Sequence, residues 1–136
     1  MAFLVGATMI GCGSSEKKAD MEKDAPLIGK VTVKTEDGIM TPEILYSFGR
    51  VSGVQVSPDK TKVLYGVIYV SIEQNKTNRE LFVMNVDGSD KKQITTTTKS
   101  ENNATWIKGG AQIAFLSSEG GSSQIWEMNP DGTGRT

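Results

Sequence analysis

Val54-Gln55-Val56-Ser57-Pro58-Asp59-Lys60, followed by Val63-Leu64-Tyr65 and then by Glu80-Leu81-Phe82-Val83-Met84-Asn85-Val86-Asp87-Gly88, decides the fold, because the chain says it twice. The second statement is Ala104-Thr105-Trp106-Ile107-Lys108-Gly109-Gly110, then Ile113-Ala114-Phe115, then Gln124-Ile125-Trp126-Glu127-Met128-Asn129-Pro130-Asp131-Gly132. Val63, Leu64 and Tyr65 map on Ile113, Ala114 and Phe115 at an offset of 50, and Leu81, Met84, Asn85, Asp87 and Gly88 map on Ile125, Met128, Asn129, Asp131 and Gly132 at an offset of 44. The difference of six is expected to be a longer loop in the first copy. Self-similarity at this period marks a stacked or radial array of small units.

Each copy reads as an antiparallel sheet. In the first, residues 54–56 form a short strand, and Ser57-Pro58-Asp59-Lys60 is a turn in which Pro58 presets φ and the Ser57 and Asp59 side chains bond nearby backbone. Residues 62–67 are β-branched and aromatic, hence a strand. Residues 81–86 are almost wholly apolar, as a strand covered on both faces would be. Asp87-Gly88 turns the chain where φ must be positive, and Gln93-Ile94-Thr95 is a brief fourth strand. In the second copy Gly109-Gly110 replaces the Pro-Asp turn, Gly120-Gly121 tightens the middle loop, and Asn129-Pro130-Asp131-Gly132 is the third turn, with a fourth strand due at Thr136. Four strands in about 45 residues make one blade of a β-propeller. The fold class expected is all-β: a partial β-propeller of about two four-stranded antiparallel blades, the second incomplete, so that this chain is a piece of a longer protein. Tyr65, Phe82, Trp106, Phe115 and Trp126 lie at strand positions and are assigned to packing between blades, which needs large apolar side chains.

Outward from the repeat, the chain divides into residues 1–12, a signal peptide; 13–26, a charged flexible linker; 27–53, a strand and short helix leading into the propeller; 54–99, the first blade; and 100–136, the second. The run Ala2 to Ile10 is too short for a bilayer span of roughly 20 residues but suits the apolar region of a secretory signal. Met9-Ile10-Gly11-Cys12 resembles a bacterial lipobox, which implies lipidation of Cys12, a membrane anchor, and an exported periplasmic or outer-membrane protein. Residues 27–35 alternate apolar and polar through Ile28, Val31 and Val33, the pattern of a strand. Thr41 caps a helix with Pro42 at its first position, Glu43 at the positive end of the dipole and Gly49 as a left-handed stop; Ile44, Leu45 and Phe48 are its packing residues.

Composition excludes several functions. With 15 basic and 16 acidic residues the net charge is −1, and no basic stripe supports nucleic-acid binding. One cysteine and no histidine leave no intrachain disulfide, no cysteine-rich zinc site, and no imidazole base for a hydroxyl or thiol nucleophile. Asn85-Val86-Asp87-Gly88-Ser89-Asp90 is a turn and not a calcium loop, since the later bidentate Glu is missing at the required spacing. No catalytic residue, metal ligand or cofactor site is assigned.

Met40-Thr41-Pro42-Glu43-Ile44-Leu45-Tyr46-Ser47-Phe48-Gly49-Arg50-Val51-Ser52, running into Val54-Gln55-Val56-Ser57-Pro58-Asp59, resembles the start of the propeller of the prolyl oligopeptidase family of serine peptidases, and within it the acyl-peptide hydrolase and dipeptidyl-peptidase-like secreted bacterial members. Residues 71–81 resemble the loop of their first blade. The resemblance implies a parent enzyme in which the remaining blades and an α/β-hydrolase domain follow, with Ser on a G-x-S-x-G elbow, and in which the propeller admits short peptides and excludes folded proteins. No G-x-S-x-G occurs in this sequence; Gly121-Ser122-Ser123-Gln124 comes nearest. The turn motifs at Ser57-Pro58-Asp59 and Asp87-Gly88 also occur in the periplasmic propeller of the Tol system, so the alternative expectation is a non-enzymatic envelope propeller that binds proteins.

Overall fold

The computed structural model describes residues 27–35 and 38–136. Helix α1 spans Pro42–Ser47, and the strands are β1 (Arg50–Val56), β2 (Lys62–Ser71), β3 (Lys76–Asn85), β4 (Lys92–Gln93), β5 (Asn102–Ile107), β6 (Gln112–Ser117) and β7 (Gln124–Met128), with a 3-10 turn at Lys108–Gly110. They form two antiparallel sheets, β1-β2-β3-β4 and β5-β6-β7. This is the open, partial propeller that the repeat predicts, with one sheet per copy.

The turns follow their chemistry. The Ser57 hydroxyl donates to Asp59 Oδ1 at 2.5 Å, which also accepts the Thr61 amide at 3.1 Å, and these bonds hold the Asp59 carboxyl below its usual range. Asn85 to Ser89 and Asn129 to Thr133 are the same turn twice. In each, the Asn amide reaches the carbonyl four residues on, the Gly amide returns to the Asn carbonyl, and the Asp carboxylate accepts from the amide two residues on at 2.9 Å. Gly88 and Gly132 sit at φ 84° and 85°, where a side chain is strained. Thr136 exchanges both backbone bonds with Glu127, the register Lys92 holds against Val83 in the first copy.

Four expectations are corrected. The six extra residues of the first copy are not loop. β2 and β3 continue as a ladder through residues 68–71 and 76–79 to a tight turn at 72–75, whereas β6 and β7 stop earlier and are joined by the longer loop 118–123. Val70 and Thr77, Tyr69 and Asn78 pair there, because β-branched and aromatic residues suit a twisted hairpin. Residues 27–35 carry no strand: the segment packs on the first sheet through the Ile28 side chain and pairs with none of its strands. Gly49 is not left-handed; Phe48 ends α1 extended, and glycine is required at 49 because a Cβ would stand 2.6 Å from Val67 Cγ1. Of the helix residues expected to pack, Ile44 is buried while Leu45 and Phe48 are more than half exposed.

The main core lies in the seam between the sheets. Leu64, Leu81, Val83 and Ile94 from the first meet Ala104, Ile113, Phe115 and Met128 from the second, with Trp106 and Trp126 alongside. Leu64, Leu81, Ile113 and Met128 are wholly buried, and each such side chain stabilises the fold by about 1.5–3 kcal/mol of transfer free energy. The opposite face of the first sheet gathers Val63, Tyr65, Val67 and Tyr69 with Phe82 and Met84; Tyr65 and Phe82 stack at 5.5 Å. Phe115, Trp106 and Trp126 thus pack between the sheets as predicted, whereas Tyr65 and Phe82 pack on the opposite face of the first sheet, away from the seam.

Candidate functional site

β1 and β5 begin their sheets and approach one another. Gln55 joins them: its Nε2 donates to the Ala104 carbonyl at 2.9 Å, its Oε1 accepts from Thr105 Oγ1 at 3.3 Å, and its own carbonyl accepts from Trp106 Nε1 at 3.4 Å. Both strands break register at the same repeat position, between Ser52 and Gln55 and between Asn102 and Thr105. Gly53 at φ 63° and Asn103 at φ 51° take the left-handed conformation that such a bulge needs. Behind the first bulge the Arg79 side chain lies over Gly53 and Gly66, its Nη2 donating to the Ser52 carbonyl at 3.4 Å. Gly53, Val54, Asn102, Asn103 and Thr105 remain exposed. Around Gln55 the two neighbouring strands therefore expose backbone and uncharged side chains.

A buried polar cluster fixes the crossing from one sheet to the next. Glu80, 2% exposed, accepts from Asn78 Nδ2 at 2.8 Å, Thr95 Oγ1 at 2.6 Å and the Thr97 amide at 3.0 Å. Burial pushes its carboxyl above the ordinary value in spite of those donors, and the nearby Glu101 charge adds to the push. Thr97 Oγ1 donates on to Glu101 Oε1 at 3.0 Å. Glu101, wholly buried, pairs with Arg135 Nη2 at 3.1 Å, and Arg135 also meets Glu119 Oε2 at 2.6 Å and lies 5.0 Å over each of the Phe115 and Trp126 rings. A buried acid is tolerated only when paired and hydrogen-bonded, and these two hold the linker 95–101 against β3.

Cys12, the expected lipidation site, lies outside the described residues. Residues 121–123 occupy the β6–β7 loop, and Asn85 to Ser89 forms the expected turn. Among the described residues no three acids or cysteines gather as a metal site. Sequence reasoning missed Glu80, Glu101 and Arg135. The signal available was Glu80 itself, a charge directly before the apolar run 81–84 of β3, at the place where the second copy has Gln124.

The fold and its seam define a portion of a β-propeller. Over 106 residues the chain is 42% identical to dipeptidyl-peptidase 5 of Porphyromonas gingivalis, covering 74% of this chain and 16% of that protein. The dipeptidyl-peptidase 5 of Porphyromonas endodontalis is 38% identical over 106 residues, 77% of this chain and 15% of its own. No family model matches. Two solved structures share the fold: the acylaminoacyl peptidase of Pyrococcus horikoshii, with TM-score 0.55 and 20% identity over 68% of this chain and 14% of that one, and a puromycin hydrolase, with TM-score 0.51 and 18% identity over 64% and 14%. These relatives agree with the resemblance to the prolyl oligopeptidase family that the stretch from Met40 to Asp59 suggests, and the chain spans about a sixth of the length of the curated relatives it matches.

Proposed function

We propose that this chain is the substrate-screening propeller portion of an exported serine peptidase that acts on short peptides. The observation that carries the reading is the 42% identity to a dipeptidyl-peptidase across the repeat. Further blades and an α/β-hydrolase domain belong to the parent polypeptide, and β1 and β5 border the passage peptides take toward it. Cys12 anchors the parent to a membrane through lipid.

The test is the parent protein. Its hydrolysis of dipeptidyl p-nitroanilides is expected to be unaffected by enlarging Val54 to Trp beside the bulge, whereas longer peptides are turned over more slowly. Equal loss for all lengths, or no hydrolysis by the parent, overturns the reading. Cys12→Ala is expected to release the protein from the membrane fraction; unchanged fractionation rejects the anchor.

A further inference from the structure

Arg79 reaches across the first sheet and finds no anion. From β3 its side chain passes over β2 at Gly66 and arrives at β1 beside Gly53. A Cβ at Gly66 would overlap the guanidinium, and one at Gly53 would stand 2.5 Å from Nη2. The two glycines thus cut a track that leads the arginine from the third strand to the first. At its end the guanidinium makes one long bond, from Nη2 to the Ser52 carbonyl at 3.4 Å, while Nε is buried without a partner. A guanidinium carries five donors in a rigid fork, and a half-buried one left this bare is costly until an anion completes it. The buried acids are engaged elsewhere, Glu80 with Asn78, Thr95 and Thr97 and Glu101 with Thr97 and Arg135. The ion pairs between described residues belong to Lys108 and Arg135.

The repeat does not demand this arrangement. At an offset of 50, Gly53 corresponds to Asn103 and Gly66 to Leu116, strand residues in each case. Asn103 keeps the left-handed bulge at φ 51°, so the bulge belongs to both copies. Leu116 closes the track, and β5, β6 and β7 contain no arginine. The arginine and its track are the first copy's own. Arg79 also lies two and four residues from Leu81 and Val83, on the face of β3 that they turn to the second sheet. A preceding blade would cover the other face.

We propose that Arg79 binds the C-terminal carboxylate of a short peptide at β1, the fork of the guanidinium meeting the two carboxylate oxygens. Exposed Gly53 and Val54 let a peptide approach the strand there. The proposal rests on the reading of β1 and β5 as the border of the peptide passage, and it adds that the passage favours peptides with a free C-terminus.

The experiment is a titration of the full chain with N-acetyl-glycyl-alanine and with its C-terminal amide. It is followed by the side-chain Nε–H resonance of Arg79, which has only Arg50 and Arg135 for company in the sequence, and by the backbone amides of Gly53 and Val54. The free acid is expected to shift all three and to bind about tenfold more tightly than the amide, the worth of one charge-assisted contact of about 1.4 kcal/mol. Arg79→Gln should bring acid and amide level, and Arg79→Lys, which keeps the charge but not the fork, should keep a smaller preference. Equal binding of acid and amide to the unaltered chain, shifts confined to Arg50 or Arg135, an acid preference that survives Arg79→Gln, or no binding of either probe overturns the proposal. The titration involves no hydrolysis. Its failure leaves the identity to a dipeptidyl-peptidase standing, and a parent that hydrolyses nothing ends the peptidase reading without altering the titration.

Discussion

Leu81 and Ile125 occupy the same position in the two copies, yet Leu81 is wholly buried in the seam and Ile125 is 74% exposed. Replacing each by alanine separates what the repeat makes equal. Leu81→Ala removes three buried carbons, worth about 2.4 kcal/mol at about 0.8 kcal/mol each, and leaves a cavity between Leu64, Phe115 and their neighbours that cannot collapse without moving a sheet. The total expected is about 3–4 kcal/mol, inside the range of about 2–5 seen for buried leucines. Ile125→Ala removes carbons that already meet water and should change stability by less than about 0.5 kcal/mol. Urea unfolding followed by tryptophan fluorescence measures both, since Trp106 and Trp126 flank the seam. Equal losses at the two positions, or a small loss at Leu81, would refute the assignment of the seam as the main core.

Three further outcomes are expected. Glu80 has its carboxyl raised by burial, so the folded chain holds that proton more tightly than the unfolded one. Its contribution is full below the unfolded value and is lost as pH rises through the folded value; urea midpoints should fall from about the ordinary value of 4.5 upward, and Glu80→Gln should flatten that slope. A Cβ at Gly66 would overlap the Arg79 guanidinium, so Gly66→Ala should cost about 1–3 kcal/mol and much less in an Arg79→Ala background, as a double-mutant cycle would show. Gly88→Ala meets no atom within 4 Å, while Gly132→Ala places its Cβ 2.8 Å from the Ile94 carbonyl. Both carry backbone strain of about 1–3 kcal/mol, and thermal unfolding should show the second to be the more costly.

The repeat and its turns were legible because they rest on local chemistry: Pro58, Asp87-Gly88 and Asn129-Pro130-Asp131-Gly132 turn the chain whatever surrounds them. The extent of the β2–β3 hairpin was not, since residues 76–80 are polar enough to read as loop and become strand only by pairing with residues 67–71. Residues 27–35 show the converse, a strand pattern that joins no ladder. Gly49 and Gly66 could not be interpreted from sequence, because what requires glycine there is a side chain distant in the chain, Val67 in one case and Arg79 in the other. The Glu80–Glu101 cluster was hidden for the same reason: its partners meet only once the linker has folded back along β3.

That linker has a consequence for how the chain reaches its folded state. Residues 94–101 complete the edge of the first sheet through the amide of Ile94, the Thr95 hydroxyl and the Glu101 amide, and then, with no spacer, become β5. No cut between 94 and 101 leaves two self-sufficient halves. Each sheet thus lends its neighbour a partly ordered first strand, and formation of one lowers the entropic cost of starting the next. Folding should propagate along the array as a nearest-neighbour process, and hydrogen exchange should find the amides of Arg79, Leu81 and Glu101 opening together, as one unit that straddles the boundary between the sheets.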